Sequence, residues 1–340
     1  MGKELRSILA GQHPYFHHSE GEAFVAYRDG IPAGRILLLE PKRFNAYQKR
    51  SDARFFLFEC RDDQETADAL FLHAAQWAKS RSLTRIVGPQ GFSSFGGSGI
   101  LIHGFEHPAT MTMMPYHPPY YQALVEASGF SRSKDFYSAR IDPREQKLPQ
   151  KIARLAEISL KRGSFTVPRV RSKRAAREIA KEIGVLYNNS WEAHDHFTPL
   201  TAEEMEALTS DLLLVTKPSL VTVIRAGDEL VGFALAFPDL TDVLSRARGR
   251  ITLREMISLY RAMNRPRRLI INGMGILPRY RRTGALAILF SEIAKILDAT
   301  GVRSAEFTQI SAENDLMMSN LEKLNAEIYK THRIYTKVIA

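Results

Sequence analysis

The chain has 340 residues, of which 44% are apolar and 25% charged, with a formal net charge of +10 and a single cysteine. That length suits two ordinary domains and that composition a globular protein. A disulfide scaffold, a thiolate metal cluster and a disordered chain are excluded, as is a helical membrane bundle, since no run of ~18 apolar residues occurs.

The apolar stretch at 7–10 is too short for a signal-peptide core, and Arg6 stands where a myristoylation motif after Gly2 needs Ser or Thr, so a cytoplasmic location is expected. His17-His18 reads as a solvated turn. A hairpin follows, with strands at 23–27 and 34–40 around Arg28-Asp29-Gly30. A strand at 53–59 runs into a helix over 64–80, with Leu70, Ala74, Trp77 and Ala78 on one face. Cys60 ends the apolar run 55–58 and is expected as a buried structural thiol. A short strand at 84–87, a Gly/Ser/Phe loop at 88–99, a helix over 119–128 stopped by Gly129 and a strand at 136–141 complete the first half.

Residues 142–148, with Pro143 and then Pro149, read as a linker that leads into a connecting strand or helix. The second half opens near 164, with helices over 173–186 and 201–213. The latter begins on a capping-box pattern, Thr201 with Glu204. A hairpin (220–225 and 230–237), a strand (269–277), a helix (283–299), a strand (305–310), a helix (314–324) and a strand (333–339) follow. Both halves share the order hairpin, strand, helix, strand, helix, strand, which marks a diverged internal repeat.

The charge excess is local: from Arg246 to Arg282 eleven arginines stand against one acid, Glu255. Such a block favours anionic partners. Nucleic acid is set aside, because no reading helix or stacking motif accompanies it. Within the segment 241–268, Leu253, Met256, Ile257, Tyr260 and Met263 follow helical spacing, flanked by Arg246, Arg248, Arg250, Arg265, Arg267 and Arg268. Two readings stand: an interfacial helix in peripheral contact with an anionic membrane, or a helix packed on the other half.

The sharpest motif is Ile276-Leu277-Pro278-Arg279-Tyr280-Arg281-Arg282-Thr283-Gly284, between a strand and a helix. A helix N-terminus presents unpaired N–H groups and a positive dipole end, a ready site for a pyrophosphate. Gly284 permits close backbone approach, and Arg281 and Arg282 add charge. The stretch resembles the acyl-CoA-binding loop of GNAT N-acyltransferases, Arg/Gln-x-x-Gly-x-Gly/Ala, with Arg281 and Gly284 in the first two fixed places and Leu286 departing from the third. The pattern after the next strand resembles the same family, with Asn314, Met317, Leu321 and Asn325 where Asn, Ala, Tyr and Gly are usual. Leu321 thus replaces the tyrosine often proposed as general acid. Asn325 tolerates the left-handed, helix-ending geometry that glycine usually supplies.

From Gln12 to Lys337 the chain resembles a bacterial tandem-GNAT family, through Phe58-Glu59-Cys60-Arg61-Asp62-Asp63, Met114-Pro115-Tyr116-His117-Pro118-Pro119-Tyr120-Tyr121 and Ile328-Tyr329-Lys330-Thr331-His332-Arg333-Ile334-Tyr335. The resemblance implies an α/β (α+β) fold of two GNAT-type halves in tandem, each a mixed, mostly antiparallel sheet flanked by helices. The expected division is 1–145, a degenerate half without a pyrophosphate loop; 146–163, a linker; and 164–340, the acyl-CoA-binding half with its basic insert at 241–268. Asp62 and Asp63 occupy the equivalent helix start in the first half and would repel a pyrophosphate.

The implied activity is N-acyl transfer from an acyl-CoA to an amine acceptor by direct attack, with a lipid-like amine or a long acyl chain suited to the basic insert. The alternative is a silent acyl-CoA sensor or scaffold. Gly275, Ile276, Arg281, Arg282, Thr283, Gly284, Ala285 and Asn314 are the expected coenzyme contacts. Glu306 and Glu313 are candidate bases, Tyr329 and Tyr335 candidate proton donors, and Trp191 and His194 candidate acceptor contacts. His194-Asp195-His196 lacks a third ligand nearby, so no metal is expected.

Overall fold

The computed structural model describes residues 2–92, 97–110, 114–190 and 197–339. Helix α1 (Gly2–Leu9) precedes the hairpin β1 (Glu20–Arg28) and β2 (Ile31–Glu40). Asp29 and Gly30 both take positive φ at its turn, as tight turns between right-twisting strands require. Then come α2 (Lys42–Gln48), β3 (Asp52–Cys60), α3 (Gln64–Ser80), β4 (Arg85–Gly88), β5 (Ile100–His103), α4 (Tyr120–Ala127) and β6 (Ser131–Ile141). In α3, Ala67, Leu70, Phe71, Ala74, Trp77 and Ala78 recur every three or four residues, and all are buried.

The chain continues through α5 (Gln150–Lys161), α6 (Lys173–Ser190), α7 (Ala202–Val215), β7 (Val221–Ala226), β8 (Glu229–Pro238), α8 (Thr241–Ala247) and α9 (Leu253–Asn264). It ends with β9 (Arg268–Ile276), α10 (Ala285–Thr300), β10 (Ser304–Ser311), α11 (Asp315–Lys323) and β11 (Glu327–Val338). The capping box of α7 forms as expected: Glu204 N donates to Thr201 Oγ1 at 3.1 Å, and Thr201 N to the Glu204 carboxylate at 2.8 Å. Asn325 takes φ 50° just after α11. Cys60 is buried, which pushes its thiol up to about 11.

Among the described residues the strands form one eleven-stranded sheet, in the order β1-β2-β3-β4-β11-β6-β10-β9-β8-β7, with β5 also on β11. The order reads nearly the same from either end. The parallel pairs β3–β4 and β9–β10 occupy equivalent places. Yet β6, which ends the first repeat in sequence, lies against β10, while β11, which ends the second, lies against β4. Each repeat is completed by the other's last strand. The cores follow: Ala139 and Ile141 of β6 pack with Ile270 and Phe307, and Tyr335 of β11 packs with Phe55, Phe58 and Phe71.

Strands β6 and β11 pair antiparallel along most of their length. Bidentate pairs brace the ladder, Arg140 on Glu327 at 2.8 and 3.0 Å and Arg333 on the buried Asp135 at 2.8 and 3.1 Å. Both strands begin earlier than their apolar pattern indicated, at Ser131 and Glu327, because buried polar residues such as Asp135, Lys330 and His332 are paired inside the sheet. Three further elements were not anticipated, α1, α2 and β5, and the connecting strand or helix expected after residue 148 is the helix α5, which packs along α10. His17 is exposed and His18 lies in the turn after it, and they also reach Glu203 and Glu204 at 2.7 and 3.1 Å, tying the N-terminal segment to α7. Among the described residues no helix is long and apolar enough to cross a membrane.

Two predictions follow from the shared sheet. Residues 1–145 alone lack β11, and residues 164–340 alone lack β6, so each is expected to stay unfolded or aggregate, with structure restored on co-refolding. A dispersed amide NMR spectrum from either fragment by itself would show that the exchange is dispensable. The second concerns His332, which is 1% exposed with its Nε2 2.9 Å from the Pro115 carbonyl. Burial pulls its pKa down to about 4 from 6.5. The neutral ring therefore stabilises the fold fully above pH 6.5, and that contribution fades as pH falls from there towards 4, by roughly 3 kcal/mol. Urea titrations between pH 7 and 4 should show this loss, and His332→Asn should reduce it to the part carried by His117, whose burial also pulls its pKa down to about 4.

Candidate functional site

Strands β9 and β10 pair only over residues 268–271 and 304–307. Beyond that point both are irregular: the register with β8 slips between Ala234 and Ala236, and that of β10 with β6 between Phe307 and Ile310. Gly273 takes φ 91° and Gln309 φ 55°. The bulges bend the two strands apart and open a cleft of about 210 Å³ between them. Asn272, Gly273 and Met274 line one side, Thr308, Gln309 and Ser311 the other. A strand edge released from its neighbour is a surface to which an extended ligand adds as another strand does.

Both repeats build this cleft. Lys134 and Phe136 come from β6, Ile334 from β11, and Gln90 and Ser98 from the loop after β4. Asn314 lines it too, while its Oδ1 accepts from Met317 N at 3.1 Å and so caps α11. No Asp or Glu is among the described lining residues. Glu313 stands exposed beside it, 3.2 Å from Lys134 Nζ.

The first repeat has the same splay, and the chain itself fills it. Strands β3 and β4 pair over residues 52–54 and 85–87, and Leu57 takes φ 48° beyond. There Gln90 N donates to Phe55 O at 2.9 Å. A Cβ on Gly88 would lie 2.4 Å from Phe55 O, and one on Gly91 2.9 Å from the Phe56 ring. The helix starts also differ. The Asp63 carboxylate, at the N-cap of α3, binds Arg28 at 2.6 Å and Thr66, and both bonds hold its pKa below the usual range. An anion thus already occupies that positive end. The first turn of α10 has no acidic residue, and Arg281, Arg282 and Thr283 lie exposed before it.

Gly284 takes φ 92°, and a Cβ there would sit 2.0 Å from Ser159 Oγ of α5. It therefore also serves the close packing of α5 on the start of α10. Gly275, Ile276 and Ala285 are buried, Gly275 so close to Phe233 that a Cβ would lie 2.7 Å from its ring. Glu306 and Tyr329 are brought together outside the cleft lining. Tyr329 OH donates to Glu306 at 2.5 Å, Thr110 Oγ1 donates to the same carboxylate at 3.2 Å, and Lys330 Nζ donates to Thr110 at 2.9 Å. Burial, with Glu306 next to it, raises Tyr329 above the ordinary phenol range. Tyr335 lies apart, its OH donating to Glu126 at 2.9 Å. Trp191 and His194 fall in residues 191–196, outside the described residues.

No family model matches the chain. It is 24% identical over 341 residues to the bacterial ceramide synthase of Caulobacter vibrioides, covering 96% of this chain and 86% of that protein. It is 25% identical over 350 residues to Protein YghO of Escherichia coli, covering 99% and 87%. Among solved structures, it resembles a tandem GNAT protein from the clavulanic acid biosynthesis pathway, with a TM-score of 0.53 and 13% identity over 96% of this chain and 85% of that one. The fold is that of the tandem GNAT proteins, as the sequence resemblance implied.

Removing the Glu306 carboxylate would leave the Tyr329 and Thr110 hydroxyls in a buried site without their shared acceptor. Glu306→Ala is expected to cost about 2–4 kcal/mol in chemical denaturation, and Glu306→Gln distinctly less. Equal stability of Glu306→Ala and the parent would mean the cluster does not brace the sheet.

Proposed function

We propose that the protein is an N-acyltransferase that moves an acyl group from an acyl-CoA to a lipid-like amine. The observation that carries this reading is the open, two-repeat cleft between β9 and β10, taken with a start of α10 whose first turn has no acidic residue. An extended pantetheine would add to the splayed strand edges, and its pyrophosphate would meet the positive end of α10 beside Arg281 and Arg282. In the first repeat the splay is filled and Asp63 holds the helix start, which supports a coenzyme-free half that completes the second. The ceramide synthase similarity supports a long-chain amine, since ceramide is the amide of a long-chain amino alcohol with a fatty acid.

In such a reaction the amine nitrogen attacks the thioester carbonyl. The C–N bond forms, the oxyanion collapses, the C–S bond breaks, and the coenzyme leaves as thiolate. A free thiol has a pKa of about 8.5, so the thiolate departs without a strong acid, and the absence of a tyrosine at Leu321 is tolerable. The attacking amine must first be neutral, against a pKa near ~10.4 for a lysine-like ammonium. Glu313, beside the cleft through Lys134, is our choice of base; Glu306 is engaged by Tyr329 and Thr110. A main-chain N–H on β9 near Gly273 would hold the oxyanion.

A cleft lined by no described carboxylate also suits a second reading, an acyl-CoA sensor or scaffold without turnover. Thiol release from palmitoyl-CoA, with and without a long-chain amino alcohol, separates the two. Acyl transfer predicts release that requires the amine. Arg282→Glu should raise KM for the acyl-CoA about tenfold or more by losing charge-assisted contacts to phosphate, with kcat little changed. Tight binding with no release would favour the sensor, and absence of binding would sink both readings. Gly284 is unsuitable for the test, because any side chain there displaces α5.

A further inference from the structure

Helix α9 has the sequence of an amphipathic helix but buries none of its residues. Leu253, Met256, Ile257 and Tyr260 recur at three- and four-residue spacing and are 73%, 57%, 46% and 71% exposed. Side chains of this kind normally pack against a core, and a stripe of them in solvent marks an interaction surface. The insert is nevertheless firmly held at its ends. Arg268 binds Asp239 at 2.6 Å and Asp242 at 3.1 Å, and Lys217 Nζ donates to Asn264 Oδ1 at 2.6 Å.

Charge identifies the occupant. The seven arginines from Arg246 to Arg267 are all exposed, and Arg254, Arg261 and Arg265 run in one line along the border of the apolar stripe. The one acid of the helix, Glu255, lies on the side away from that stripe and closes the capping box on Thr252. At 12 residues, about 18 Å, the helix is too short to span a bilayer. An apolar stripe bordered by arginines is the pattern of a helix lying in a membrane interface.

We propose that α9 docks the protein flat on an anionic phospholipid bilayer. Leu253, Met256, Ile257 and Tyr260 enter the boundary between headgroups and acyl chains, and the neighbouring arginines meet the lipid phosphates. Arg268 is excluded from that set, because its guanidinium is committed to Asp239 and Asp242. The proposal rests on the surface of the insert alone and is independent of acyl transfer.

Vesicle sedimentation tests it without any catalytic readout. The full chain should pellet with vesicles of phosphatidylcholine and phosphatidylglycerol, weakly with phosphatidylcholine alone, and less at high salt. Leu253→Ser with Tyr260→Ser should weaken binding about tenfold or more by removing apolar contact. Arg254→Gln, Arg261→Gln and Arg265→Gln should weaken it by about fivefold each. These positions are exposed, so an unchanged thermal midpoint is expected alongside. The proposal is overturned if the parent chain does not pellet, or if the variants pellet as the parent does. A dimer that the same substitutions dissociate, without vesicle binding, would assign the surface to a second copy of the chain.

Discussion

The antiparallel pairing of β6 with β11 is the contact on which the rest of the molecule depends. Through it two repeats share one sheet, and each core is closed by a strand from the other repeat. The ladder keeps the charged Asp135 inside the sheet because Arg333 matches it, while Arg140 and Glu327 pair at its solvent-exposed side. Removal of one partner leaves the other partly buried and unpaired, which costs more than the pair contributes. The cleft inherits this dependence, since Lys134, Phe136 and Ile334 reach it only because β6 and β11 have changed places.

Against that shared frame the repeats diverge at equivalent positions. Both have a short parallel pair that splays beyond its fourth residue or earlier, and in both a helix links the two strands of the pair, α3 between β3 and β4 and α10 between β9 and β10. In one, main chain from Gly88 to Gly91 presses into the gap and Asp63 neutralises the helix start. In the other the gap stays open, and arginines stand where the acids are. A small number of residues thus separates a closed half from an open one on the same scaffold.

Much of the element order was legible because it rests on local signals. The α3 stripe, the Thr201 capping box and the left-handed Asn325 all follow from residues a few places apart. The tandem GNAT character was legible from the loop around Arg281 and Gly284. The strand exchange was not, because register between strands two hundred residues apart leaves no local trace in a single sequence. For the same reason Gln90, Ser98 and Lys134 were missed as cleft residues: each is contributed by the other repeat or by an exchanged strand. Glu306 and Tyr329 were expected as a base and a proton donor; sequence does not reveal that they bond to each other, outside the cleft lining.

The exchange also bears on how the molecule is made. Strand β4 pairs with β3 on one side but gains its other neighbour only when Arg85 meets Val338, so the first repeat leaves the ribosome with an open sheet edge that later chain must cover. Sequential, domain-by-domain folding during synthesis is closed to it, and its loop-closure entropy is paid late. An unpaired edge awaiting a distant strand is a template for intermolecular pairing. Nascent chains of this architecture should therefore lean on chaperones more than two separate domains of the same length would.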